Sequence, residues 1–314
     1  MSERSFEIVP YEPARRGDFL ALMREVYEGT GWSEEEFDWW FEQNPTGRFV
    51  LNLAVEDGQT IGAAAQSYAR MVLGGREAEA TFTIHVMTGA AARGKGVFSA
   101  LQLWNDDEAA RGGARLALGF TNPMAGPIFV SRLGWEELCW LRLWARPKRP
   151  LRAVRHLRAH GTPAGGVRGE VEGFGPRHEE IYRRAAAGWA DHLVKDAAYL
   201  NWRYGASTRP YASVSTARGF AVVGWGVYRG VSAGLVCELV GGDGVKLLHR
   251  CARLVDADLV LAMPNPGEHR TYAAAGFVPT PAAIRFIGRS LQPDEPLPHG
   301  RDAFRFSLGD TDIF

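Results

Sequence analysis

The sequence predicts an α/β fold built from two similar halves, and three observations carry that prediction. Segments with apolar residues at helical spacing alternate with short, strand-like apolar runs. Asp57-Gly58 and Gly74-Gly75 each separate two such runs, as hairpin turns do, which makes much of the sheet antiparallel. One plan also occurs twice. In "LALGFTNPMAGPIFVSRLGWEEL" an apolar strand leads to Asn122-Pro123, a short helix and Gly134-Trp135. "LVLAMPNPGEHRTYAAAGFVPTP" passes in the same way through Asn265-Pro266 to Gly276-Phe277, which points to an internal duplication.

The elements follow in order. Phe19, Leu22, Met23, Val26 and Tyr27 repeat with helical spacing and predict a helix over 15–28. Ser33-Glu34-Glu35-Glu36 is a capping-box pattern opening a second helix that carries Phe37, Trp40 and Phe41 and ends at Asn44-Pro45. The two hairpins lead to "IHVMTGAAARGKGVFSAL", in which an apolar run meets a small-residue turn, a basic glycine loop and a helix. Val97, Leu101 and Trp104 define one face of that helix, which Gly112-Gly113 ends, and "ARLALGF" is a buried-type strand. Together these elements make a layered α/β arrangement with one dominant sheet.

From Pro147 to about Gly175 the composition shifts. Lys148, Arg149, Arg152, Arg155 and Arg158 occur beside Leu151, Val154 and Leu157 with no acid among them, as in a short basic amphipathic helix, and "HGTPAGGVRG" has linker composition. The expected organisation is 1–146, a linker over 147–178, and 179–314. The second half carries a helix around Ile181–Trp189, two strand-like runs ("FAVVGWGVYRG" and "SAGLVCELVG") and a helix around Leu247–Leu254.

Composition narrows the function. The 314 residues are 46% apolar and 23% charged, with 36 basic and 36 acidic side chains, as in an ordinary soluble globular protein. A neutral chain with a pI near 7.1 lacks the basic excess that nucleic acid or anionic membranes attract. Cys139, Cys237 and Cys251 lie far apart and form no metal-ligand spacing. The N-terminus "MSERSFEIVP" has no apolar leader core, and no run approaches a membrane span. The expectation is a cytoplasmic enzyme, monomeric or homodimeric, with no metal.

The loop Arg93-Gly94-Lys95-Gly96 is the sharp signal. At a helix start the first N–H groups have no partner inside the helix, and the helix dipole adds partial positive charge there. Glycine lets the backbone approach phosphate oxygens and take φ > 0 without a Cβ clash. Neither a nucleotide triphosphate loop nor the dinucleotide fingerprint occurs.

A strand ending at Thr88, Arg93-x-x-Gly96 opening a helix, a further strand, and Asn122 before a short helix and Gly134-Trp135: this order resembles the GNAT superfamily of acyl-CoA-dependent N-acyltransferases. The doubled plan resembles its tandem members. The resemblance covers most of 5–145 and, in the second half, mainly the last third and the strand order. It implies two domains, each a mixed, mostly antiparallel sheet flanked by helices, with acetyl-CoA or another acyl-CoA as co-substrate and a small-molecule primary amine as acceptor. It also implies that Arg93, Gly94, Lys95, Gly96, Val97 and Phe98 hold the CoA pyrophosphate. Val86, Met87 and Thr88 would pair with the pantetheine arm and polarise the acyl carbonyl, and Asn122 would contact the pantetheine end. The family loop reads Q/R-x-x-G-x-G/A, so Phe98 departs from it. The second half has only "GGDG" between its strand and helix, which implies a single CoA site.

Catalytic groups are less legible. The resemblance places a tyrosine seven residues after the Asn as the acid for the leaving thiolate. Here that position is Phe129 in the first half, and Tyr272 in the half without the loop. His85 lies on the strand before the acyl site and titrates near neutrality, which makes it a candidate base. Some tandem members place a C-terminal carboxylate in the active site, which makes Phe314 the second candidate. Glu34, Glu35 and Glu36 fit a solvated helix start better than a base. Trp39, Trp40 and "YLNWRY" are core or acceptor-pocket aromatics, with Arg203 a possible carboxylate ligand if it faces a pocket. Without an obvious acid or base, the alternative is a non-catalytic acyl-CoA-binding protein of the same fold.

Overall fold

The computed structural model describes residues 5–159 and 163–311. In chain order the strands and helices of the first half are β1 Glu7–Pro10, α1 Arg16–Val26, α2 Glu34–Phe37, β2 Phe49–Glu56, β3 Gln59–Leu73, β4 Arg76–Thr88, α3 Val97–Arg111, β5 Leu116–Thr121 and α4 Gly126–Arg132. Then come β6 Glu136–Pro147, α5 Pro150–Ala159, β7 Gly166–Val167, α6 Pro176–Ala186, β8 Asp191–Leu193, α7 Ala197–Leu200, β9 Tyr211–Ser215, β10 Gly219–Tyr228 and β11 Val231–Gly241. The chain finishes with α8 Gly244–Leu254, β12 Val255–Asp256, β13 Leu259–Ala262, α9 His269–Ala274, β14 Val278–Ser290 and β15 Phe304–Arg305. The mixed strands flanked by helices are those of an α/β protein. No helix among the described residues is long and apolar enough to cross a membrane.

The chain forms two compact units whose membership does not follow chain order. The first unit is 1–71, 76–138 and 285–298 and the second is 72–75, 139–284 and 299–314. In the first, β1, β2, β3, β4 and β5 are successive neighbours, and residues 285–290 of β14 close the far side of β5, running antiparallel from Arg285↔Thr121 to Ser290↔Leu116. In the second, β9, β10, β11 and β13 are neighbours, and the end of β6 lies antiparallel to β13 from Trp144↔Ala262 to Pro147↔Leu259. Alternation and turn residues locate strands but do not say which edge a distant strand will join.

Several local expectations acquire a physical reason. The capping box at α2 forms: Ser33 N–H donates to Glu36 Oε2 and Glu36 N–H to Ser33 Oγ. The chain then continues as a wider turn over Asp38–Glu42, which buries Trp39 and Phe41. In α3 the buried stripe holds Val97, Ala100, Leu101, Gln102, Asn105, Asp106 and Ala109. Trp104, expected on the buried face, is 44% exposed. The helix rolls polar side chains inward because each finds partners on the sheet, as the site requires. The basic helix α5 is neutralised within its own unit. Arg149 and Arg152 pair with Asp256, and Arg152 and His156 with Asp258, so those three are engaged rather than presented to a ligand. Burial would raise the Asp258 carboxyl, but donors from Arg152, His156 and the Ser232 N–H win and hold it below its ordinary value.

Candidate active site

β4 and β5 run parallel, and they pair at Ala80↔Leu116, Thr81↔Ala117 and Phe82↔Leu118. Beyond the Phe82 rung lies a narrow cleft of about 90 Å³. Thr83, Ile84 and Val86 of β4 form one wall and Gly119, Phe120, Thr121 and Asn122 the other. Tyr27, Phe98, Ala125, Phe129, Trp135 and Ile287 complete the lining. A crevice at the carboxyl ends of parallel strands is where open α/β sheets hold ligands.

The glycine loop follows the end of β4. Gly94 and Gly96 have φ of +84° and +80°, a region costly for any residue with a Cβ, and Gly96 is the left-handed N-cap of α3. A Cβ at either would meet nothing within 4 Å, so conformation, not crowding, demands glycine, and the space outside them is open. α3 is 15 residues long, so its first N–H groups face outward with the aligned dipole behind them. The helix start sits close to β3 because Gly62 has no Cβ to overlap the Val97 side chain. Arg93 is exposed, whereas Lys95 Nζ is bound to Glu56 Oε2 at 2.6 Å. Of the two basic side chains, Arg93 is thus the one available to an anion.

Of the strand residues, Val86 lines the cleft, while Met87 turns into the α1 core at 1% exposure. Thr88 Oγ1 is buried with no hydrogen-bond partner among the described residues. Asn122 lines the cleft, but its Oδ1 is already engaged by the N–H groups of Met124 and Ala125. It therefore shapes the turn into α4 and has its Nδ2 left for a ligand. Phe98 and Phe129, the two departures from the GNAT pattern, touch each other. Their rings meet edge-on at 5.4 Å, and Phe129 meets Trp135 at 4.8 Å. An apolar ring thus stands where the pattern has a phenol, and the bulk at position 98 covers it.

His85 is not itself part of the cleft lining, but Tyr27 is, and Tyr27 Oη lies 3.1 Å from His85 Nδ1. Trp32 stands edge-on to the His85 ring at 4.7 Å. Ile84 and Met87 pack with the α1 cluster, and Val86 with the α3 cluster. His85, between Ile84 and Val86, also faces Tyr27 and Trp32 on the α1 side. His85 thus meets the cleft through Tyr27 rather than lining it directly. Phe314 lies outside the described residues.

Beneath the cleft is a network that hydropathy concealed. Asp106 is 1% exposed and accepts from Gln66 (2.8 Å), Gln102 (2.7 Å), Trp135 Nε1 (2.9 Å) and Arg289 (3.0 Å). Burial raises its carboxyl above the ordinary value, and the four donors oppose that rise. The Gln66 and Gln102 amides also reach Thr83 Oγ1 in the cleft wall, each at 3.3 Å. Trp135 and Thr83 are thereby fixed from below. The cluster Gln102-Asn105-Asp106 on an amphipathic helix was the available sequence signal.

The second unit has a closely similar split with a different content. β11 and β13 pair in parallel at Ala233↔Leu259, Gly234↔Val260 and Leu235↔Leu261. Beyond this the tail of the chain fills the gap. Phe306 N–H and Arg301 donate to Asn265 Oδ1, Arg305 donates to Leu239 O, and Arg203 to Gly309 O. Gly309 comes so near that a Cβ would stand 2.8 Å from Cys237 O. Lys195 binds Glu238 at 2.8 Å, Ser307 at 2.8 Å and Asp310 at 2.8 Å, with all three groups at or below 5% side-chain exposure for the ions. Burial would lower the Lys195 ammonium, but Asp310 and Glu238 hold it raised and charged. Arg203, considered as a ligand for an acceptor carboxylate, is instead 4% exposed and bound to the tail and to Tyr211.

These features define a class: an α/β protein of two compact units, with an open parallel-strand cleft beside a glycine-rich helix start. Solved structures make it specific. The chain has the fold of the GCN5-related N-acetyltransferases, including its tandem form. It is similar to a GCN5-related N-acetyltransferase from Kribbella flavida (18% identity, 91% of this chain and 72% of that one, TM-score 0.60). It is also similar to Saccharomyces cerevisiae N-myristoyltransferase with bound myristoyl-CoA (11%, 100% and 88%, TM-score 0.63). A putative acetyltransferase from Pyrococcus horikoshii matches over 98% and 95% at 14% identity and TM-score 0.59. No family model and no curated protein sequence matches the chain.

Proposed function

We propose that the protein moves a short acyl group, most simply acetyl, from acyl-CoA to a primary amine of a small molecule by direct transfer in a ternary complex. The carrying observation is the open cleft beyond the Phe82↔Leu118 rung, continuous in chain with a helix start whose glycines have left-handed φ. The loop 93–98 receives the pyrophosphate, the end of β4 at Val86–Thr88 aligns the pantetheine arm and thioester carbonyl, and Asn122 flanks the arm. The amine approaches from the side of Tyr27 and His85. Holding amine and thioester in line supplies much of the acceleration. We read the sequence order 1–146, 147–178, 179–314 as two duplicated copies joined by a linker, with the second retained for support, and we place the activity in the cytoplasm.

A non-catalytic acyl-CoA-binding role is the second reading, favoured by Phe129, which cannot protonate a thiolate. Calorimetric titration with acetyl-CoA tests the site. Wild type should bind one equivalent. Gly96→Asp, which puts a charged side chain at positive φ on the anion site, should weaken binding about 100-fold, and Arg93→Ala about tenfold. Arg218→Ala, in the β9–β10 turn of the second unit where its side chain pairs with Asp243 just before α8, should leave binding unchanged. Absence of wild-type binding, or equal affinity in Gly96→Asp, overturns the assignment. Thiol release with an amine panel then separates enzyme from binder.

A further inference from the structure

The acyl-transfer reading leaves one chemical requirement without a group: an amine is cationic at neutral pH, and its nitrogen attacks only after losing a proton. We propose that the Tyr27 hydroxyl takes that proton while passing its own to His85 Nδ1. The inference rests on the acyl-transfer reading but on separate residues from the CoA loop.

Tyr27 is held where the role needs it. Its N–H donates to Met23 O at the end of α1, and its carbonyl accepts from Thr30 N–H at 3.0 Å and Thr30 Oγ1 at 2.6 Å. Glu28 and Gly29 follow with φ of +53° and +90°, so the helix stops and the ring projects from its end. The ring lines the cleft beside Ile84 and is 37% exposed, which leaves it accessible to an incoming ligand. Its hydroxyl lies 3.1 Å from His85 Nδ1. With His85 as the Nε2–H tautomer, Tyr27 Oη donates to Nδ1, and the Tyr27 side chain carries that hydroxyl on the cleft lining.

From α1, Glu25 Oε1 accepts the Ala90 N–H, and from the segment before α2, Trp32 covers the imidazole edge-on.

The step balances. The ammonium N–H proton moves to Tyr27 Oη as the phenol proton moves to His85, giving a neutral amine and an imidazolium that, after transfer, returns its proton through the half-exposed Tyr27 hydroxyl to water. The amine lone pair forms the C–N bond at the thioester carbonyl. The tetrahedral species then breaks its C–S bond, and the surplus proton on nitrogen leaves with the sulfur as free CoA thiol. That direct handover also fits a cleft in which Phe98 and Phe129 offer no acid. Tyr27 is the catalytic residue here, and His85 acts through it.

The test uses full-length protein, acetyl-CoA and a panel of small primary amines that includes 2-phenylethylamine, chosen for the aromatic cleft mouth. Wild type, Tyr27→Phe and His85→Gln are compared for acetyl-CoA affinity, thermal midpoint, and kcat/KM for thiol release across pH. Both variants should keep the affinity and midpoint and lose about 100-fold or more in kcat. Wild type should lose rate on the acid side as an imidazole that must accept a proton becomes protonated, and His85→Gln should lack that acid limb. Variants with wild-type kcat, or a reduced rate with the acid limb unchanged in His85→Gln, overturn the relay while transfer stands. Wild type that binds acetyl-CoA but releases no thiol with any amine overturns transfer and the relay together. Wild type that binds no acetyl-CoA overturns the loop assignment.

Discussion

The two parallel-strand splits are the instructive comparison. Each is held by three rungs, Ala80↔Leu116 to Phe82↔Leu118 in one unit and Ala233↔Leu259 to Leu235↔Leu261 in the other. Each is followed by an asparagine that begins a short turn, Asn122 or Asn265. Asn122 caps its own turn and faces an open cleft. Asn265, 5% exposed, gives its Oδ1 to Arg301 and Phe306 of the tail. The same backbone solution has thus been put to two uses. Where the split stays open, a helix start with two left-handed glycines stands beside it; where it is filled by the chain itself, the loop has shrunk to Gly241-Gly242-Asp243. An unfilled split with unpaired strand edges is costly unless a ligand or another segment satisfies its polar groups, and the tail does so in the second unit.

Breaking the plug should have the largest effect. Lys195→Met leaves Glu238 and Asp310 facing each other without a cation, and loss of one partner of a buried ion pair costs about 3–5 kcal/mol. Urea unfolding at neutral pH should show that loss, with Glu238→Gln in the same chain recovering part of it. If Lys195→Met unfolds at the wild-type urea concentration, the tail is not held by this cluster. The cleft floor comes next. Asp106→Asn places an amide N–H₂ against four donors, which should cost about 1–3 kcal/mol and weaken acetyl-CoA binding as Thr83 and Trp135 loosen. A variant as stable as wild type would show that the floor network is dispensable. The smallest effect is pH-dependent and lies in the second unit. Asp258 titrates below its ordinary 3.8, so folding favours its ionised form. That contribution is complete above the unfolded value and fades as pH falls through the lower folded one. Wild type should therefore lose its stability advantage over Asp258→Asn as pH falls below the ordinary carboxylate value of about 4, and a difference that stays constant through that fall would contradict it.

Much of the first unit was legible because its signals are local. Ser33 and Glu36 are three residues apart and cap one another, Asp57-Gly58 turns its own hairpin, and Gly94 and Gly96 are needed by the φ of their own residues. The Tyr27–His85 pair was not legible as a pair. The partners are 58 positions apart and meet because α1 ends at Tyr27 beside the β4 residue His85. Asp106 was hidden for another reason. Hydropathy reads a buried carboxylate as a surface residue, and its donors come from β3, α3, the turn before β6 and the returning β14.

The sequence by itself determined the α/β class and a glycine loop of left-handed φ at the start of α3, since capping, turn chemistry and glycine's left-handed freedom act between near neighbours. Only the tertiary structure decided that β14 closes the first unit's sheet and that the tail occupies the second split. It also decided that Lys95 is spent on Glu56, and that a tyrosine from the end of a helix meets a histidine on a strand at the cleft. Those outcomes depend on which distant segments satisfy one another's hydrogen bonds and charges, and no spacing along the chain records that.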